Sequence, residues 1–244
     1  MNDTTIRLNK YLANLGICSR RDVKHLLKEQ TVTVNGERIK ESGFRFDPHH
    51  DDVRLNGKKI LPPQLVYYLL NKPKGIVSTT ADEYGRKNVI SLIPTKERIY
   101  PVGRLDKDTT GLILLTNDGE LTNQLIHPKY HVDKVYHVTI KGSANTAQLR
   151  ALRNGVLLED GITAPAKAVV LNMKGGLSEL AVTIHEGRNR QIRRMCETVG
   201  LHLLELRRIK FGPINLENLH EGKFRELTEE EITSLKKASG FVDK

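Results

Sequence analysis

At 244 residues, with 28% charged and 38% apolar positions, the chain is long enough for one large domain or a medium and a small one, and its composition is globular rather than disordered. Its net charge of +10 favours polyanionic partners, nucleic acid before an anionic membrane surface. No apolar run approaches the ~20 residues that span a bilayer, the opening MNDTTIRLNK has no secretory pattern, and Cys18 and Cys196 lack metal-binding spacing, so the expectation is a cytoplasmic chain with free thiols and no metal.

Residues 6–16, IRLNKYLANLG, place Leu8, Leu12 and Leu15 on one helical face, with Gly16 as its stop. Ser19, three before Asp22, resembles a capping box that opens a second helix with Val23, Leu26 and Leu27 inside. Thr31 to Ile39, TVTVNGERI, reads as a hairpin around an Asn-Gly turn, and Asp52 to Ile60 repeats the pattern. Residues 1–40 hold eight Lys or Arg against four acids. Arg20, Arg21, Lys24 and Lys28 are expected on the outer side of the second helix, as a solvated face or a binding surface. Pro62-Pro63 is the expected linker, which divides the chain into 1–63 and 64–244.

After the linker, Leu65 to Leu70 reads as a strand running into NKPKG, a turn, and Ala81 to Asn88 as polar loop. The stretch Gly103 to Gly119, GRLDKDTTGLILLTNDG, organises the larger part of the chain. Its second half is a buried strand, Gly111 to Thr116. Its first half crowds Arg104, Asp106, Lys107 and Asp108 into a loop whose exit that strand fixes, which suits a held carboxylate; the alternative is a solvated turn with local ion pairs. Asp118 to Ile126 reads as a helix with Leu121, Leu125 and Ile126 inside. A strand comes next at Val135 to Ile140, then a helix at Thr146 to Asn154. Strand signals at Leu157 to Leu171 and Leu180 to His185 surround a Gly175-Gly176 turn. Ile192, Met195, Cys196 and Val199 recur at helical spacing, Leu201 to Phe211 is a strand, and Thr228 with Glu231 caps a last helix. Strands outnumber helices and are scattered among them, which predicts an α+β fold on a mixed sheet. No phosphate-loop or dinucleotide fingerprint is present.

Two further stretches bear chemistry. KVY, Lys134 to Tyr136, opens a strand. HEGRNRQIRRM, His185 to Met195, turns from strand to helix and carries Arg188, Arg190, Arg193 and Arg194, whose planar forks suit phosphates and carboxylates. Taken with GRLDKDTTGLILLTNDG and NKPKG, these resemble, in order, the motifs of the bacterial ribosomal-RNA pseudouridine synthases of the RsuA/RluB/RluF type. RLNKYLANLGICSRRDVKHL and VTVNG resemble the S-four-type RNA-binding domain that precedes the catalytic domain in that family. The resemblance covers nearly the whole chain.

The resemblance implies a small N-terminal αα-hairpin RNA-binding domain, then a catalytic domain on a mixed, mainly antiparallel sheet flanked by helices. It implies isomerisation of a uridine in ribosomal RNA, free or in a pre-ribosomal particle, without cofactor or metal. Asp106 would be the catalytic aspartate, Tyr136 would stack on the uracil, Arg193 would pair with Asp106, and Leu206 would floor the base. Arg104, Lys107, Arg188 and Arg190 are the expected substrate contacts, and Arg7, Lys10, Arg20, Arg21 and Lys24 those of the small domain. The plain alternatives are an Arg193–Glu197 pair within one helix and core roles for Tyr136 and Leu206. EGRNRQIRRM and LEDGITAPAKA favour the large-subunit (23S) branch; the small-subunit (16S) branch, or a non-catalytic RNA-binding assembly factor, stays open. No association helix is evident, so a monomer is expected.

Overall fold

The computed structural model describes residues 5–60, 64–80 and 85–240. Two compact units result: Met1–Leu65 with Thr95–Arg98, and Val66–Pro94 with Ile99–Lys244. The expected linker Pro62-Pro63 lies outside the described residues, as do residues 81–84 of the expected polar loop.

In the first unit, the Asn-Gly pairs set the sheet. Asn35 and Gly36, and again Asn56 and Gly57, all take positive φ, the backbone that closes a two-residue hairpin with the right twist. The hairpins β2 (Val32–Val34)/β3 (Glu37–Arg38) and β5 (Val53–Leu55)/β6 (Lys58–Lys59) join through β2 and β5 in the order β3-β2-β5-β6. Against them pack α1 (Leu8–Asn14) and α2 (Val23–Glu29), burying Leu8, Leu12, Val23, Leu26 and Leu27. Gly16, at φ +74, ends the first helix turn.

The helix begins later than its apolar spacing predicts. Ile6–Arg7 is a strand, β1, paired with β4 (Arg45–Phe46). The amides of Leu8 and Asn9 donate to Phe44 O and Ser42 O, so a neighbouring loop satisfies the exposed helix start. Ser19 Oγ accepts from the Asp22 amide and donates to its carboxylate. Arg20 and Arg21 lie in that turn rather than on α2, exposed beside the exposed Lys24 and Lys28 of the helix.

The second unit is built on β9 (Thr110–Thr116). Leu112 and Leu114 enter a core with Leu121 and Leu125 of α3 (Gly119–Ile126) and Ile232 and Leu235 of α6 (Glu229–Ala238). Ile113 and Leu115 enter another, with Ile192, Met195 and Cys196 of α5 (Gln191–Thr198) and Leu152 of α4 (Thr146–Asn154). Burial on both faces explains why this strand reads as an unbroken apolar run. Among the described residues the sheet has nine strands. Its path is β13 (Lys167–Lys174), β14 (Leu177–Ile184), β10 (Lys134–Lys141), β15 (His202–Phe211), β9, β7 (Tyr67–Lys72) and β17 (Phe224–Glu226). β16 (Ile214–Asn215) adds to β15 and β8 (Tyr100–Pro101) to β9. The β15–β9 pairing is parallel and its neighbours along the path are antiparallel, so the fold is the expected mixed α+β sheet flanked by helices.

Several local expectations change. β7 extends through Asn71 and Lys72 of NKPKG, because Leu112 and Gly111 of β9 pair with them. Ile126 is exposed, not inside; it comes one position after Leu125 and turns to the other side of α3. Leu157 to Leu171 is not one strand but a small hairpin, β11 (Leu157–Leu158)/β12 (Gly161–Ile162), with β13 after it. Gly161, at φ +98, supplies the left-handed residue that this turn needs. The final helix has its full capping box, Thr228 with Glu231.

Candidate active site

The loop ahead of β9 is pinned on both sides of Asp106. The Leu105 amide donates to Ser78 Oγ and the Ser78 hydroxyl returns a bond to Leu105 O, at 3.2 and 2.9 Å. Lys107 O accepts from the Gly75 amide at 2.8 Å and from Lys72 Nζ at 3.3 Å. A turn bond from the Thr109 amide to Asp106 O closes the loop. The Asp106 side chain, 27% exposed, is therefore presented by a fixed backbone at the wall of a pocket.

Opposite it, β10 and β15 supply the apolar wall. Their register pairs Val138 with Leu206 and Tyr136 with Arg208. Tyr136 and Leu206, 8% and 6% exposed, line the same pocket as Asp106, Arg104, Arg188 and Arg190. Six of the eight expected catalytic and substrate residues thus meet, although they come from four separated stretches. Lys107 and Arg193 do not line it.

Arg193 stands behind the loop. Its Nε is 4.0 Å from Asp106 Oδ2, too long for a hydrogen bond. Its Nη2 donates to Asp108 O at 3.1 Å and lies 3.4 Å from Thr109 Oγ1. The expected pair is thus an electrostatic neighbour anchored to the loop backbone rather than a hydrogen-bonded couple. At this separation the gross attraction is about 1 kcal/mol in water and about 4 at an effective dielectric of 20. The guanidinium reaches across to the loop rather than along its own helix to Glu197.

Two other residues expected at the substrate make contacts within the protein. Lys107 is exposed, and it is its carbonyl, not its ammonium, that the fold uses here. Arg188 gives its guanidinium to protein: Nη1 donates to Gly161 O at 2.9 Å, Nη2 to Ile162 O at 2.6 Å, and Nε to Glu186 at 3.3 Å. Carbonyls already occupy the fork that was expected to meet a phosphate. In the first unit, Arg7, Arg20, Arg21 and Lys24 are exposed and Lys10 is half-buried.

Buried cations support the site. Lys72, with no exposed surface, donates to Pro73 O, Ile76 O and Lys107 O. Burial pushes its ammonium down to about 8, against the opposing pull of Asp108, Asp106 and Glu221. Lys134 Nζ donates to His185 O at 3.0 Å, tying the start of β10 to the start of the arginine-rich segment. Burial, then the neighbouring Arg208, pushes it down to about 8 as well. Parity betrayed Lys134: it lies two and four residues before Tyr136 and Val138, hence on their inward face. Lys72 extends the apolar run of β7 in the same way. Ser78 and Thr109 left no such signal.

Among the described residues no group of three or more His, Cys, Asp or Glu side chains is arranged to hold a metal, and no helix is long and apolar enough to cross a membrane. Both cysteines are free thiols, and burial pushes Cys196 up to about 12.

Residues 66–198 match the RNA pseudouridylate synthase family and residues 6–53 the S4 domain. The ribosomal large subunit pseudouridine synthase B of Bacillus subtilis is 46% identical over 94% of this chain and 95% of its own. The dual-specificity RNA pseudouridine synthase RluF of Escherichia coli is 37% identical over 96% of this chain and 79% of its own. A solved pseudouridylate synthase superposes with a TM-score of 0.69 at 31% identity, covering 94% of this chain and 99% of that one. With a fold and two successive sequence matches that agree, the chain belongs to the RNA pseudouridylate synthase family and carries an S4 domain ahead of its catalytic fold.

Proposed function

We propose that this chain isomerises a uridine of large-subunit (23S) ribosomal RNA to pseudouridine. The glycosidic C–N bond breaks, the uracil turns, and it rejoins the sugar through ring carbon five, which gives up its proton while the released ring nitrogen takes one up. The observation that carries this reading is the shared pocket of Asp106, Tyr136 and Leu206, with the Arg193 guanidinium 4.0 Å from the acid.

In this reading Asp106 acts as nucleophile or base. Tyr136 stacks on the flipped uracil and assists proton removal from carbon five, and Leu206 forms the apolar floor. Arg193 favours the carboxylate form electrostatically and fixes the loop that bears it. Extracting a base from a folded RNA costs a few kcal/mol, which phosphate contacts offset; Arg104 and Arg190 serve at the pocket rim, and the basic residues of the S4 domain serve elsewhere on the RNA. The large-subunit choice is supported by the name and 46% identity of the Bacillus subtilis relative. The same reading takes 1–63 as the RNA-binding domain and 64–244 as the catalytic one, acting as a cytoplasmic monomer on ribosomal RNA or a pre-ribosomal particle.

Pseudouridine mapping in ribosomal RNA from cells with and without the protein tests the substrate. Loss of one or more large-subunit sites is expected; a change confined to small-subunit RNA overturns the choice. Asp106→Asn tests the chemistry, with isomerisation abolished while RNA binding persists. Equal loss of both points instead to a binding factor.

A further inference from the structure

The tip of the β11–β12 hairpin holds none of the residues assigned to substrate or chemistry, yet a polar network ties it to the pocket wall. Asp160 takes both prongs of Arg194, Nη1 on Oδ1 and Nη2 on Oδ2, each at 3.0 Å. Arg188 grips the same hairpin through its backbone, at Asp160 O (3.2 Å), Gly161 O and Ile162 O, and its Nη1 also stands 3.5 Å from Asp160 Oδ1. Glu186 holds the other side: one carboxylate oxygen accepts from the Ala164 amide and Gln191 Nε2, the other from Arg188 Nε. Gln191 Oε1 in turn accepts from the Arg188 amide. Residues 186–194 are thereby fastened to residues 160–164 at both ends, through Glu186 and through Arg194.

Between the fastenings sits Arg190, at φ +48 and ψ +33, with no side-chain cap for the helix that it opens. A non-glycine residue in the left-handed region is strained and persists where the surroundings impose it. Arg190 lines the pocket and also a cleft along α5 with Arg193 and His202, so its position shapes the wall between them.

We propose that Asp160 is a positioning residue for the isomerisation, which acts through Arg188 and Arg194 to hold residues 187–190 and set Arg190 at the pocket. This rests on the isomerase reading. The pairs are partly exposed, and such pairs contribute little to global stability. Position is more sensitive, since a displacement of about 1 Å can cost up to about a hundredfold in rate.

The test compares Asp160→Ala and Asp160→Glu with the native chain. Amide hydrogen exchange over residues 187–191 is read without RNA. Turnover is read as release of tritium from carbon five of uridine in an unmodified large-subunit rRNA transcript. For Asp160→Ala, exchange is expected to rise about tenfold and kcat to fall about tenfold. KM stays equal or falls, because removing an acid from a basic protein favours RNA. The melting temperature holds, and Asp160→Glu recovers most of both losses. Native exchange and native kcat in Asp160→Ala overturn the proposal, as does a kcat loss that tracks a falling melting temperature. If the native chain does not turn over the transcript, the substrate reading fails, while exchange alone still decides the clamp.

Discussion

Gly111 and Arg208 meet where β9 and β15 run parallel, and a Cβ on Gly111 would lie 2.2 Å from the Arg208 carbonyl oxygen and 2.8 Å from its amide nitrogen. Both obstacles are backbone, and Gly111 also holds φ +101. Gly111→Ala therefore cannot be absorbed by a rotamer change. It must part the parallel strands at the point where the Asp106 loop enters the sheet. A loss of at least about 2–3 kcal/mol is expected in urea unfolding, from strain and disrupted pairing together, with isomerisation falling alongside. Gly43, whose added Cβ would meet nothing within 4 Å, is the control; Gly43→Ala should stay within about 0.5 kcal/mol of the native chain.

Lys72 gives a pH signature. Its folded pKa, about 8, is below the ordinary 10.5. Below about 8 both folded and unfolded chains hold the proton, and the burial cost of the charge is fully present. Between the two values the unfolded chain holds a proton that the folded chain has released, so stability rises with pH there. Lys134, also at about 8, adds to that rise. Lys72→Met should remove the Lys72 share, at about 1.4 kcal/mol for each tenfold difference in acidity between the folded and unfolded ammonium, so urea midpoints at pH 7 and pH 10 should lie closer together in the variant. The substitution also leaves Pro73 O and Ile76 O without this donor and Lys107 O with Gly75 alone. Turnover at pH 7 should then fall by about tenfold or more as the Asp106 loop loosens.

The sequence disclosed some of this and not the rest, for physical reasons. The unbroken apolar run within Gly111–Thr116 made the central strand legible, and Asn-Gly chemistry made both hairpins of the first unit legible. The Thr228–Glu231 cap located the start of α6 to the residue, and α4 spans the expected Thr146–Asn154. What escaped was set by partners remote in sequence. Ile6–Arg7 is a strand because Arg45–Phe46 is beside it, and β7 runs on through Lys72 because the start of β9 is there to pair. At the site, motif spelling brought out Asp106, Tyr136 and Leu206, which do share a pocket. It could not tell that Arg188 would spend its guanidinium on carbonyls while Arg190, two residues on, would reach the pocket in a left-handed backbone. Residue type was the same; only the tertiary acceptors differed.

That contrast is itself testable. Arg190 is exposed and lines the pocket, whereas Arg188 donates to the hairpin. Arg190→Ala should weaken RNA binding and flatten the plot of log affinity against log salt by about one unit, the signature of one lost phosphate contact. Arg188→Ala should leave that slope unchanged while turnover falls. Filter binding across a salt series separates them, and equal slope changes in both variants would return Arg188 to the phosphate contacts.

In the S4 domain, Arg20 and Arg21 are exposed in the turn that leads into α2, next to the exposed Lys24. A turn places its cations on less regular backbone than a helix face does, but Ser19 and Asp22 fix this one through their mutual hydrogen bonds. The double variant Arg20→Glu/Arg21→Glu removes two positive charges and adds two negative ones, without touching the core of Leu8, Leu12, Val23, Leu26 and Leu27. Thermal unfolding should be nearly unchanged. Affinity for ribosomal RNA should fall, with the salt slope shallower by about one to two units. Because Asp106 and Tyr136 belong to the other unit, kcat at saturating RNA should be preserved while KM rises. An unaltered slope would show that these cations do not meet phosphate, and a drop in kcat without a rise in KM would assign the small domain to the chemistry rather than to binding.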